Sequence, residues 1–138
     1  MPRLDKYHEA VKNALIKDGW TITDDPFAIK FADARLFADI GAEKLLAAEK
    51  DNRKVAVEVK VFGSVSSYDD LEKAVGQYQI YRAFLKKIQP EREIYLAVAE
   101  KIYAEFFQRE SVRYLVAEFG IKLLIFDEIK EEIVQWKS

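Results

Sequence analysis

Residues 54–62, KVAVEVKVF, decide the fold class. Successive side chains of an extended strand point to opposite faces, so Val55, Val57, Val59 and Val61 share one face, and Ala56, Glu58 and Lys60 share the other. A β-branched residue at every second position favours a pleated strand, and hydrophobic residues on both faces suit one buried on both sides. Downstream, GSVSS at 63–67 reads as a loop. Ser67 and Asp70 stand at the offset of a capping box, with aspartate in place of the usual glutamate. The helix they open extends to about Ile88, with Leu71, Val75, Tyr78, Phe84, Leu85 and Ile88 at roughly helical spacing, and Pro90 ends it. Residues 93–99 (EIYLAVA) predict a strand, 101–118 a single helix closed near Gly120, and 121–126 (IKLLIF) a strand with which 132–137 pairs across the turn at 127–131.

Upstream, Asp51-Asn52 predicts a hairpin turn, so residues 42–50 are read as the partner strand despite their helix-forming composition. Residues 35–40 (RLFADI), 27–32 and 20–24 (WTITD) alternate like short strands, with Asp25-Pro26 as a turn between the last two. Leu4, Tyr7, Val11, Ala14 and Leu15 define an apolar helical face over 4–18, stopped by Asp18-Gly19. Consecutive strands followed by alternating helices and strands predict an α/β fold: a mixed sheet flanked by helices.

The 138 residues suit one domain spanning 1–138, with 50% hydrophobic and 33% charged residues, a globular composition. The absence of cysteine excludes thiol nucleophiles, disulfides and thiolate-bound metals, and a single histidine, His8, excludes multi-histidine zinc sites. No apolar run is long enough to span a membrane, and the N-terminal MPRLDKYHEA lacks a secretory apolar stretch, so a cytoplasmic protein is expected. With 22 basic and 24 acidic residues the net charge is −2, which excludes an overall basic coat but not a local basic face. Carboxylates, lysines and oxygen-liking metals remain for chemistry.

Three charges stand in strand-like surroundings. Asp39 lies within RLFADI, sharing a face with Arg35 and Phe37; Glu58 and Lys60 lie within the valine strand, about 7 Å apart along it. Buried charge is costly unless paired or metal-bound, so these residues mark either a structural salt bridge or a functional site. A second Glu-x-Lys, at Glu128 and Lys130, falls in a turn and is given no role.

Asp39, followed on the next strand by Glu58-Val59-Lys60 and then by a helix, resembles the PD-(D/E)XK nuclease superfamily, with Ala38 where the conventional proline would stand. Gln77 and Tyr81, one helical turn apart, are similar to the Gln-x-x-x-Tyr motif of RecB-like nucleases. Glu9 resembles the helical acid of archaeal Holliday-junction resolvases. Over nearly the whole chain, DKYHEAVKNALIKDGWTITDDP, RLFADIGAEKLLAAEK, VAVEVKVFG and LEKAVGQYQIYRAFL are similar to the XisH family of fdxN-element excision controlling factors of cyanobacteria. These resemblances imply a restriction-endonuclease-like fold of order αβββαβ with a further helix and strand. They also imply a role in DNA element excision beside a companion, XisI.

The superfamily resemblance implies a Mg²⁺ or Mn²⁺ ion held by Asp39, Glu58 and the Val59 carbonyl, with Lys60 beside the attacking water or scissile phosphate. Gln77 would orient Lys60 or the nucleophile, and Tyr81 and Glu9 would support the site or face DNA. Arg35, Lys44 and Lys73 are candidate DNA contacts, and no base-reading element is evident. A homodimer would suit two-strand cutting. The competing expectation is a non-catalytic module binding XisI or a recombinase, through aromatic residues among Tyr103, Phe106, Phe107, Tyr114 and Trp136.

Overall fold

The valine strand lies inside a six-stranded sheet with a separate core on each face. The computed structural model describes residues 2–36, 45–62 and 67–138. In chain order the elements are α1 (Pro2–Lys17), β1 (Thr21–Asp24), β2 (Ile29–Phe31), β3 (Ala34–Leu36), β4 (Leu45–Lys50), β5 (Arg53–Val59), α2 (Ser67–Ile88) and β6 (Arg92–Ala99). They continue with α3 (Glu100–Glu105), a 3₁₀ turn (Phe106–Gln108), α4 (Glu110–Glu118), β7 (Leu123–Asp127) and β8 (Glu132–Lys137). The main sheet has the order β1-β4-β5-β6-β7-β8, while β2 and β3 form a hairpin of their own. β5–β6 and β6–β7 are parallel and the other pairs antiparallel, a mixed sheet as expected. The order αβββαβ holds for the main sheet, counting β1, β4 and β5; the β2–β3 hairpin is inserted between the first two.

The hairpin joining β4 to β5 turns on Asp51 (φ 50°) and Asn52 (φ 68°), with Lys50 opposite Arg53. Two consecutive left-handed residues match the twist of the flanking strands, which places residues 45–50 in a strand against their helical propensity. Gly19 (φ 94°) closes α1: its N–H donates to the Ile16 carbonyl, and the Trp20 N–H to that of Leu15, a turn that a Cβ would strain.

Residues 101–118 do not form the single helix expected. Arg109 is extended (ψ 139°) and divides α3 and the 3₁₀ turn from α4. Phe106 and Phe107, in the 3₁₀ turn just before the break, are both buried, with ring centroids 5.9 and 5.3 Å from Phe62. Of the five aromatic residues considered as partner contacts, these two are core residues, Tyr103 and Trp136 are half-buried, and Tyr114 is 64% exposed.

One core joins Val55, Val57, Val59, Leu124 and Phe126 to Ala10, Val11 and Leu15 of α1; the other joins Ala56, Leu96, Ile125 and Phe62 to Leu71, Ala74, Tyr78 and Tyr81 of α2. Tyr78 is fixed in the second core by two hydrogen bonds, donating to the Ile94 carbonyl (3.2 Å) and accepting from the Lys122 N–H (3.0 Å). No described helix is long and apolar enough to cross a membrane.

His8 and Lys12, one turn apart on α1, both meet Asp25, at 2.8 and 3.1 Å, and tie α1 to the segment after β1. Burial pushes the Asp25 carboxyl up. The hydrogen bond from Lys12 and the charge and hydrogen bond of His8 outweigh it and hold the group below its ordinary value of 3.8. A lowered carboxyl stabilises the fold above the unfolded value and loses that contribution as pH falls through the folded one. Asp25→Asn is therefore expected to cost about 1–2 kcal/mol at pH 7. The gap from wild type should narrow as pH falls below the carboxyl's ordinary value of 3.8 and through its lower folded value. Urea unfolding at pH 7, 4 and 2.5 checks this; a gap that does not change with pH would assign Asp25 a role other than its charge.

Candidate functional site

Charges on an apolar strand need a local reason, and the face they point to identifies it. Ala56 and Phe62 belong to the core beneath α2, so Glu58 and Lys60, at the same parity, lie on that face. Both are buried: Glu58 is 0% and Lys60 8% exposed. The Lys60 N–H continues the ladder beyond β5, donating to the Ala97 carbonyl at 3.2 Å. In a trans peptide the preceding carbonyl points the opposite way. The Val59 carbonyl thus faces the β4 side, where the described ladder ends at the Leu45–Glu58 pair.

α2 returns antiparallel to β5 and presents three stripes. Leu71, Tyr78 and Leu85 enter the core against the sheet. On one flank Tyr68 meets Phe106 (5.2 Å) and Arg82 donates to the Gly120 carbonyl (3.0 Å), so this flank faces the α3–α4 side. On the other flank Phe84 stacks on Phe31 of β2 (5.2 Å), so this flank faces the hairpin and the β5 side of the sheet. Gln77 and Tyr81 lie between the core stripe and the Phe84 flank at about 100° per residue. Tyr81 is 5% exposed and Gln77 half-buried. The helix therefore brings both toward the face that carries Glu58 and Lys60, across about 10 Å between helix axis and sheet.

Asp70 belongs to the same stripe. Asp70, Ala74, Gln77 and Tyr81 fall within about 60° of one another around the helix. Asp70 is only 8% exposed, although it stands in the first turn, where the capping-box reading would leave it at the surface. Its spacing of seven residues before Gln77 carries this signal in the sequence, beneath the cap pattern.

Other expected positions lie elsewhere. Glu9 is exposed on α1, which covers the opposite face with Ala10, Val11 and Leu15, so the structure does not bring it onto the face of Glu58. Lys73 is exposed on α2. Asp39 and Lys44 lie outside the described residues; Arg35 has its backbone in β3, opposite Lys30. Among the described residues no three His, Asp or Glu side chains gather as a metal cluster. Glu128 accepts from the Tyr7 hydroxyl at 3.2 Å, and the Asp127 carboxylate accepts from the Ile129 and Lys130 N–H groups. The second Glu-x-Lys thus sits in a side-chain-stabilised turn.

Arg92 is a buried cation of a different kind. At the start of β6, and so at the other end of the sheet from Lys60, it donates to the Val55 carbonyl (2.8 Å) and Gln89 (2.6 Å) and lies over the Phe27 ring (4.9 Å). These contacts join β5, the end of α2 and the segment before β2, which accounts for it as a structural group.

The family model described as XisH protein matches residues 1–134. The chain belongs to the XisH family. Its fold is shared with the crystal structure of an XisH family protein from Nostoc punctiforme PCC 73102, with TM-score 0.90 and 42% identity over 97% of this chain and 100% of that one. It is equally similar to an fdxN element excision controlling factor protein from Anabaena variabilis, with TM-score 0.90 and 41% identity over 97% of this chain and 99% of that one. No curated protein matches the chain. At these identities the XisH fold extends over almost the whole chain.

Proposed function

We propose that this XisH family protein acts in the excision of a DNA element as a metal-dependent phosphodiesterase of the PD-(D/E)XK type, working with an XisI-like companion. The observation that carries the reading is the placement of Glu58 and Lys60 on one buried sheet face, beneath the α2 stripe with Gln77 and Tyr81. An apolar strand has no packing reason to keep two charges there. The excision role rests on the Anabaena variabilis relative, described as an excision controlling factor.

The donors suit Mg²⁺ or Mn²⁺. A carboxylate at Glu58 and the Val59 carbonyl aimed past the end of the β4 ladder are hard oxygen ligands, and Asp39 is proposed as the second carboxylate. Such an ion, when bound, supplies an acidified water and relief of charge on phosphoryl oxygens. Lys60 holds its ammonium where negative charge grows on the phosphate and steadies the nucleophile. The Gln77 amide orients Lys60 or the water, and Tyr81 packs behind them. DNA is held by local cations, for which Arg35, Lys44 and Lys73 are proposed.

The deciding experiment incubates the purified protein, alone and with an XisI-like partner, with supercoiled and linear DNA in Mg²⁺ or Mn²⁺. Cleavage supports the reading; none under any condition leaves a binding module. A second readout needs no turnover. Mg²⁺ or Mn²⁺ at a hundredfold excess over Kd is expected to stabilise the fold by about 2.7 kcal/mol, and Glu58→Gln to abolish the gain. No rise in Tm for the wild type at saturating metal would remove the ion from the proposal.

A further inference from the structure

We propose that the outward side of α2 is a self-association surface, on which a second copy of this chain docks its own α2 in antiparallel register about a two-fold axis. The proposal names the surface of the homodimer expected from the sequence and does not depend on the nuclease reading.

Around the helix from the core stripe of Leu71, Tyr78 and Leu85 lie Gly76, Ile80, Ala83 and Lys87, all exposed. They follow one another at intervals of four, three and four residues, the spacing with which one helix packs along another. Two of them have no account within the chain. Ile80 is 51% exposed at the middle of the 22-residue helix. Gly76, one turn earlier, weakens a helix interior relative to alanine. A Cβ at Gly76 would meet nothing within 4 Å, and its φ is not positive, so neither a contact nor a backbone angle inside the chain calls for glycine. A second helix does: the missing side chain leaves a hollow that an isoleucine fills, at an axis separation near 8 Å. Phe31 and Ile88, each 36% exposed, extend the apolar surface on the hairpin side.

The face is complementary to itself, which identifies the occupant. With the two-fold axis level with residue 78, Gly76 of each copy receives Ile80 of the other, and the contact forms twice. Charge selects the same direction. Glu72 lies toward the N-terminal end of the face, and Lys86 and Lys87 toward its C-terminal end, all exposed. An antiparallel copy brings its Lys86 alongside Glu72 at both ends of the contact, whereas a parallel copy would set like charge against like. Lys73 falls opposite Ala83 of the second copy, clear of that copy's cations. Acid early and base late also suit the helix dipole, but the dipole gives no reason for Ile80 or Gly76.

Sedimentation velocity of the purified chain, over a concentration series up to its solubility, tests the surface. The wild type is expected to dimerise, and Ile80→Glu and Gly76→Leu each to raise the dimer Kd about 30-fold or more. Both positions open to solvent within the chain, so circular dichroism of both variants should match the wild type, and Gly76→Leu should show no loss of helix. Glu72→Lys should raise Kd about tenfold, and adding Lys86→Glu to it should restore most of the affinity. A wild type that stays monomeric throughout would overturn the proposal, and so would a dimer that Ile80→Glu and Gly76→Leu leave intact. A charge-swapped double variant no tighter than Glu72→Lys alone would overturn the antiparallel register. No DNA or metal enters the measurement, so failure here leaves the nuclease reading as it stands, and failure of that reading leaves the dimer.

Discussion

Lys60→Met and Glu58→Gln are each expected to reduce metal-dependent DNA cleavage by about 10²–10³-fold, the scale for removing one preorganised group that meets charge in a transition state. Both replacements keep approximate shape while removing charge from a buried face, which matters because the two positions are 8% and 0% exposed. Truncating either to alanine would add a cavity and leave the remaining charge without its surroundings, at a cost of about 3–5 kcal/mol, and lost activity could then mean lost fold. The measurement therefore pairs initial cleavage rates with circular dichroism and Tm for each variant. Folded variants that retain wild-type rates would sink the assignment of both residues. Loss in Lys60→Met with metal-induced stabilisation intact, and loss of both properties in Glu58→Gln, would separate the electrostatic group from the metal ligand. The competing reading of a non-catalytic module makes a different forecast: both variants would support excision and partner binding like the wild type.

Phe126→Ala is expected to produce the largest loss of stability, about 3–5 kcal/mol, a substantial part of the total for an ordinary domain. Phe126 is 0% exposed in β7, opposite Ala99 on one side and Ile133 on the other, and meets Tyr7 of α1 edge-on at 5.9 Å. Its ring holds α1 against the sheet, and its removal leaves a cavity that neighbouring strands cannot close. Urea unfolding should show a lower midpoint with an unchanged slope. Ile129→Ala, at a turn position 77% exposed, should stay within about 0.5 kcal/mol of wild type. A loss below about 1 kcal/mol for Phe126→Ala would show that α1 does not depend on this contact. Because Phe126 belongs to the face opposite Glu58 and Lys60, a folded Phe126→Leu should retain the activity of the wild type.

Much of the architecture is legible in local patterns. The alternation of KVAVEVKVF reports a strand buried on both sides because a strand's side chains have a period of two, whatever surrounds it. The same parity rule puts Glu58 and Lys60 on one face. The Asp51-Asn52 pair announced the hairpin because few residues accept consecutive left-handed backbone angles. Helical spacing likewise joined Gln77 to Tyr81, since both are set by 3.6 residues per turn.

Tertiary packing decided the rest. The helix expected over 101–118 breaks at Arg109, and the 3₁₀ turn before the break packs Phe106 and Phe107 against Phe62, contacts more than forty residues away in sequence that no local propensity contains. Asp70 reads as a cap from its neighbours in sequence; its burial depends on which flank of α2 faces β5, and that flank is selected by Phe84 on Phe31 and Tyr68 on Phe106. Glu9 is helical, as expected, yet lies on the other side of the sheet, because the apolar stripe of Ala10, Val11 and Leu15 fits the valine face and turns Glu9 outward. Periodicity within one element places a residue on a face; only the packing of elements against one another determines what that face meets.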